Sequence, residues 1–143
     1  MRRVVGVGVV LLLLMVLSPN SVFAQQTGKS RGFQLKGNYP NPFNPTTTIS
    51  FVLDEGAFAG GRPAVVSIRI YSMLQTLVAA PQAVEHPAGN VLVDNLTYTK
   101  PGEYSAYWDG TDRTGRKVAS GIYYYILVVN GEKTPARKMV VTK

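Results

Sequence analysis

The stretch Asn38-Tyr39-Pro40-Asn41-Pro42-Phe43-Asn44-Pro45 places three prolines within eight residues. Each proline lacks a backbone N–H, holds φ at about −65° and pushes the residue before it into extended geometry. A helix is excluded there, and so is a central strand, whose ladder needs those amides. The segment has to run as an extended, turning edge, with Phe43 and Tyr39 available to plug a core. The chain downstream is patterned for strands. Thr46 to Leu53 alternates, with Thr47, Ile49, Phe51 and Leu53 on one face, the period of a half-buried strand.

The remaining periodicity is also that of strands separated by turns. Asp54 to Pro63 is Gly-rich and reads as a loop. Val65 to Tyr71 alternates again, with Val66, Ile68 and Ile70 inward and Ser67 and Arg69 outward. Ser72 to Gln75 is a turn, Thr76 to Ala80 a short return strand, and Pro81 to Asn90 a connection. Val91 to Thr97 is a weak strand, and Lys100-Pro101-Gly102 a firm turn. Tyr104, Ala106 and Trp108 form the inward face of the next strand, and DGTDRTG at 109–115 is a tight turn region. Gly121 to Val129 is apolar on both faces, which predicts a central strand covered on both sides. Asn130-Gly131 is a hairpin signal. Thr134 to Lys143 closes the chain, with Met139 and Val141 inward. About seven short strands and no helix predict an all-β antiparallel sandwich.

The first 24 residues read as an address. Arg2 and Arg3 precede an apolar run from Val4 to Leu17, a helix-breaking Ser-Pro-Asn-Ser, and Val22-Phe23-Ala24 ahead of Gln25. This is the three-part pattern of a secretory signal peptide cleaved between Ala24 and Gln25. The run is short of the roughly 20 apolar residues that cross a bilayer, so no membrane span is expected in the mature chain. Residues 25–34 read as a flexible leader and 35–143 as one domain, exported to the periplasm and then to the cell surface or beyond.

Little chemistry is available to that domain. With no Cys in the 143 residues there is neither a disulfide framework nor a thiolate site, and a single histidine, His86, excludes any site needing two imidazoles. Asp109 and Asp112 share a loop, but Thr111 and Arg113 lie between and beyond them and no Glu closes it, so turn chemistry is expected rather than calcium. His86 is expected to be a loop residue. Asp54 and Glu55 are adjacent and point apart. Gly56, Gly60 and Gly61 precede no helix, so no phosphate loop is expected. Among Tyr123, Tyr124 and Tyr125, the middle ring faces away from the other two, which favours core and flank over a sugar-stacking surface. Without its signal peptide the chain keeps 13 Lys and Arg against 8 Asp and Glu. That charge is scattered, which suits a solvated surface better than a dedicated anion site, and no basic–aromatic interleaving suggests nucleic acid. No cofactor, metal or catalytic residue is expected, and the chain is not expected to be an enzyme.

NYPNPFNPTTTISFVL at 38–53, YWDGTDRTGRKVASGIYYYIL at 107–127 and the final KMVVTK together resemble two related groups. One is the type A C-terminal sorting domain of the type IX secretion system of Bacteroidetes-type bacteria. The other is the immunoglobulin-like domain named after the flagellar hook-capping protein FlgD. The resemblance implies an Ig-like sandwich over residues 35–143. Its motif positions fall on Asn38, Tyr39, Pro40, Asn41, Pro42, Phe43, Asn44, Pro45, Trp108, Asp109, Gly110, Gly115, Ser120, Gly121 and Tyr123, and on Lys138 to Lys143 at the terminus. As partners it implies an outer-membrane translocon, a sortase-like surface protease and anionic lipopolysaccharide. Trp108 is expected to anchor the core and Gly110, Gly115 and Gly121 to serve turns. The terminal strand, with free hydrogen-bonding groups, is the natural element for a translocon to read. The alternative is a periplasmic or surface Ig-like interaction module without a sorting role.

Overall fold

The computed structural model describes residues 31–143, so the signal peptide, its Ala24–Gln25 junction and most of the leader lie outside the described residues. Ten strands run as β1 (Phe33–Tyr39), β2 (Thr47–Leu53), β3 (Ala64–Ser72), β4 (Leu77–Ala79), β5 (Gln82–Ala83), β6 (Leu96–Tyr98), β7 (Gly102–Trp108), β8 (Gly121–Val129), β9 (Glu132–Lys133) and β10 (Arg137–Val141). A 3-10 segment, Glu55–Gly61, fills the predicted loop after β2. β1 takes in Phe33 and Gln34, which pair with Leu53 and Val52, so the strand starts inside the stretch read as leader.

The strands form two antiparallel sheets, ordered β1-β2-β7-β5 and β10-β8-β3-β4, with β6 added to β3 and β9 to β8. This is the immunoglobulin order ABED opposite GFC, with one further strand beside C. A second mark of that fold stands near the start of β8. The Tyr123 hydroxyl donates to the carbonyl of Ala119, four residues upstream, at 2.9 Å, the tyrosine corner of such sandwiches.

The core is the set of alternating side chains that the two sheets turn toward each other. Ile49, Phe51 and Leu53 of β2 face Val66, Ile68 and Ile70 of β3 and Tyr125, Leu127 and Val129 of β8, all buried. Burial of aliphatic and aromatic groups on this scale is the main stabilising term, each side chain contributing roughly 1.5–3 kcal/mol. Two expectations need correction. Ser67 alternates outward yet is buried, because the loop before β6 folds over it and Asn95 N–H donates to its Oγ at 2.8 Å. β8 is central, flanked by β3 and β10, but its second face is only partly covered: Ile122, Tyr124 and Ile126 are half-buried.

β1 carries a bulge, since Leu35 opposes Phe51 while Asn38 opposes Ile49. Side chains from the other sheet take up the carbonyls that the bulge turns out of the ladder. Tyr125 Oη donates to Lys36 O at 3.1 Å, and Arg137 Nη1 reaches Leu35 O at 3.5 Å. The bulge therefore ties the two sheets together at this edge.

Candidate functional site at the C-terminal pole

Four segments far apart in sequence meet where β10 ends. The peptide bonds before Pro40, Pro42 and Pro45 are cis, and between them the chain lays Phe43 along the outer edge of β10. Phe43 bridges Val141 in parallel. Its amide donates to Val140 O at 3.0 Å, and its carbonyl accepts from the Thr142 amide at 3.0 Å. Asn41 Oδ1 accepts from Val140 N–H at 3.0 Å. The expectation of a terminal strand with free hydrogen-bonding groups is thereby overturned, because residues 140–142 already have partners. The physical reason lies in the proline spacing. Pro42 and Pro45 cannot donate, so Phe43 supplies the backbone pairing and the Asn41 side chain supplies a further acceptor.

The Phe43 ring, 1% exposed, plugs the end of the sandwich. It stands edge-on to Trp108 with centroids 5.5 Å apart, and Trp108 stands edge-on to Tyr123 at 5.9 Å, the geometry that opposes ring edge to ring face. Trp108 is buried at the end of β7, and its Nε1–H donates to Thr111 O at 2.9 Å. Burial raises the Tyr123 phenol above its usual range. Gly110 follows with φ +78°, and a Cβ there would stand 2.6 Å from Pro45 O. Glycine is required on both counts, and the close approach docks the Trp-Asp-Gly turn onto the end of the proline block.

The aspartates serve turns. Asp109 Oδ1 accepts from Thr111 N–H and Oγ1–H at 3.0 and 2.6 Å. Asp112 Oδ1 accepts from the Thr114 hydroxyl and from the Thr114 and Arg116 amides at 2.7, 2.9 and 3.0 Å. These bonds, the Thr114 hydroxyl foremost, hold the Asp112 carboxyl below its usual range. Among the described residues no group of three His, Cys, Asp or Glu is placed to hold a metal ion.

The other motif positions divide between inside and surface. Asn38 is buried, its Nδ2 donating to Thr47 Oγ1 at 3.0 Å and Pro40 O at 3.3 Å, with Tyr125 Oη 3.4 Å from its Oδ1. With Asn38 taking the inward place, Tyr39 points out and is 83% exposed; it does not plug the core. Gly115 has φ +83° inside its turn, and Gly121 opens β8 at φ +148°. Ser120, Lys138 and Lys143 are exposed. At the surface of the pole a cleft of about 300 Å³ is lined by Asn44, Pro45, Asp109, Lys117, Thr142 and Lys143.

Sequence reasoning missed a second aromatic cluster. Phe51 packs on Tyr98 and Tyr104 at 5.6 and 5.7 Å, Tyr98 on Tyr104 at 4.6 Å, and His86 on Tyr98 at 4.9 Å. His86 holds its loop with both ring nitrogens, Nδ1 accepting from Ala88 N–H at 3.0 Å and Nε2 lying 2.9 Å from Thr97 O. Tyr104 Oη donates to Lys100 O. No spacing signal announces this cluster, whose members come from a strand, a loop and two strands of different sheets.

No protein-family model matches the chain, and no curated protein does. Four chains of solved structure match it. One is dimeric latent PorU from Porphyromonas gingivalis, 25% identical with a TM-score of 0.52, over 77% of this chain and 9% of that one. Another is the Pseudomonas fluorescens alkylpurine DNA glycosylase AlkC, bound to DNA with an abasic-site analogue. It is 13% identical with a TM-score of 0.50, over 78% of this chain and 31% of that one, a likeness of fold alone. This chain thus spans under a tenth of the PorU chain and about a third of AlkC.

Proposed function

We propose that residues 33–143 form a non-catalytic sorting and anchoring module of the type IX kind, carried by an exported chain to the cell surface. The observation that carries the reading is the convergence of Asn41–Pro45, Trp108–Gly110, Tyr123 and Val140–Lys143 on one pole. The structural likeness to PorU, a component of the type IX secretion system, supports the same context. In this reading the translocon recognises a folded pole and not a bare strand edge. The exposed groups of the cleft, Asn44, Asp109, Lys117 and Lys143, are the ones it would touch, and the buried aromatics hold them in place. A sortase-like surface protease and anionic lipopolysaccharide are the further partners this reading implies.

The test is a reporter inserted between residues 30 and 31, expressed in a host with type IX secretion, with surface exposure read by protease shaving of intact cells. Removing Val140 to Lys143 is a poor variant, since it deletes buried Val141 and both partners of Phe43. Deleting Lys143 alone, or adding a short Gly-Ser extension after it, changes the pole's surface and leaves the core whole. Display that is lost in both variants supports sorting. Retention of the unmodified fusion in the periplasm refutes it and leaves an Ig-like interaction module without a sorting role.

A further inference from the structure

We propose that the outer face of the β10-β8-β3 sheet binds an acidic polysaccharide, with sugar rings on Tyr71 and Tyr124 and uronate carboxylates on the cations around them. The register places Tyr71 opposite Tyr124 and Tyr124 opposite Lys138, so two tyrosines and a lysine lie in one row across three strands. Arg69 opposes Ile126 in the next outward row, and Lys133 opposes Val128 beyond it. Among the described residues the outward positions of these strands hold three cations and no acid; Glu132 sits opposite Val129, which points inward. A groove of about 580 Å³ crosses this face, lined by Tyr71, Met73, Gln75, Tyr124, Ile126 and Lys133. It is within the size range of ligand sites. It offers aromatic faces with polar tips, an amide and an ammonium, which is the mixture that an amphipathic, charged sugar ring satisfies.

Charge and edges argue against the other occupants. A second copy of the chain would bring the same three cations against themselves across a two-fold axis, a like-charge juxtaposition with no acid to answer it. A peptide adding as a strand needs a free sheet edge. Here Phe43 and Asn41 occupy β10, and the Arg113 amide donates to Val78 O of β4 at 3.0 Å. The outer face of the opposite sheet differs in charge and not in aromatics. It also carries a row of Tyr39, Thr48 and Tyr107, but its Lys36 is paired with Glu103 at 3.1 Å.

The experiment is affinity electrophoresis and calorimetry of the signal-free chain with polygalacturonate, with neutral dextran and anionic phospholipid vesicles as competing probes. Polygalacturonate should bind at low salt and weaken as salt rises, while dextran does not bind. The pair Tyr71→Ala with Tyr124→Ala and the pair Lys133→Glu with Lys138→Glu should each weaken binding at least tenfold. All four positions lie outside the core, and an unchanged melting curve checks that the variants fold. Failure of the wild type to bind overturns the proposal. So does full binding by the tyrosine pair, stronger binding to vesicles than to polygalacturonate, or a dimer abolished by the same substitutions.

Discussion

Two aromatic clusters plug this sandwich, and only one of them is tied to the last strand. Phe43, Trp108 and Tyr123 join segments 65 and 80 residues apart, and the Phe43 backbone also pairs with the last strand. Phe51, Tyr98, Tyr104 and His86 have local bonds of the same kind, Tyr104 to Lys100 and His86 to Ala88 beside Trp108 to Thr111 and Tyr123 to Ala119 in the first cluster. Among the described residues, however, none of their ring contacts or bonds reaches the last strand. The first cluster couples the chain terminus to the core, so damage there should be felt at the pole's surface. The second closes one side of the sandwich, so damage there should stay local.

The largest break is Phe43→Ala. It removes a ring that is 1% exposed and should cost about 3–5 kcal/mol. Amide exchange should show it as early loss of protection at Thr142, whose partner is the Phe43 carbonyl. Protection at Thr142 that outlasts that of β2 would show that the terminus is held independently of the ring. Gly110→Ala comes next. The added methyl meets Pro45 O and φ is positive, so a loss of about 1–3 kcal/mol is expected from the strained backbone. A melting temperature equal to that of the parent would mean that the two turns are not docked as described.

The smallest effect sharpens the other side of the comparison. Burial first, and the neighbouring Tyr104 second, push the Tyr98 phenol from 10.0 up to about 12. The folded state therefore keeps a proton that the unfolded chain gives up near pH 10. The stability this contributes is complete below about pH 10 and is lost as pH rises toward 12. Melting curves at pH 9, 10 and 11 should fall in that order, and Tyr98→Phe should flatten the decline. An unaltered slope would assign the alkaline loss to other tyrosines, Tyr123 and Tyr125 among them, which burial also raises.

Strand patterning was legible wherever one face is buried and the other wet. The inward faces of β2, β3, β7 and β10 follow their alternation, from Ile49 and Phe51 to Met139 and Val141. The Asn130-Gly131 turn also stands as read, with φ +51° and +85°. Positions covered by loops were not legible: Ser67 under the Asn95 loop, and His86 against Tyr98. Alternation reports only which way a side chain points from its own strand; it carries no information about a loop that later folds over it.

For the candidate site the division is similar. By itself the sequence determined an all-β chain, an edge-running proline block and two aspartate turns, because missing amides, period-two alternation and Asx geometry are local properties. It also marked the residue blocks that the pole is made of. Only the tertiary structure decided that Phe43, and not Tyr39, enters the core, and that the terminal strand arrives with its outer edge already paired. Those outcomes depend on which distant backbone groups meet, and hydrogen-bonding groups buried together must find partners wherever the fold brings them.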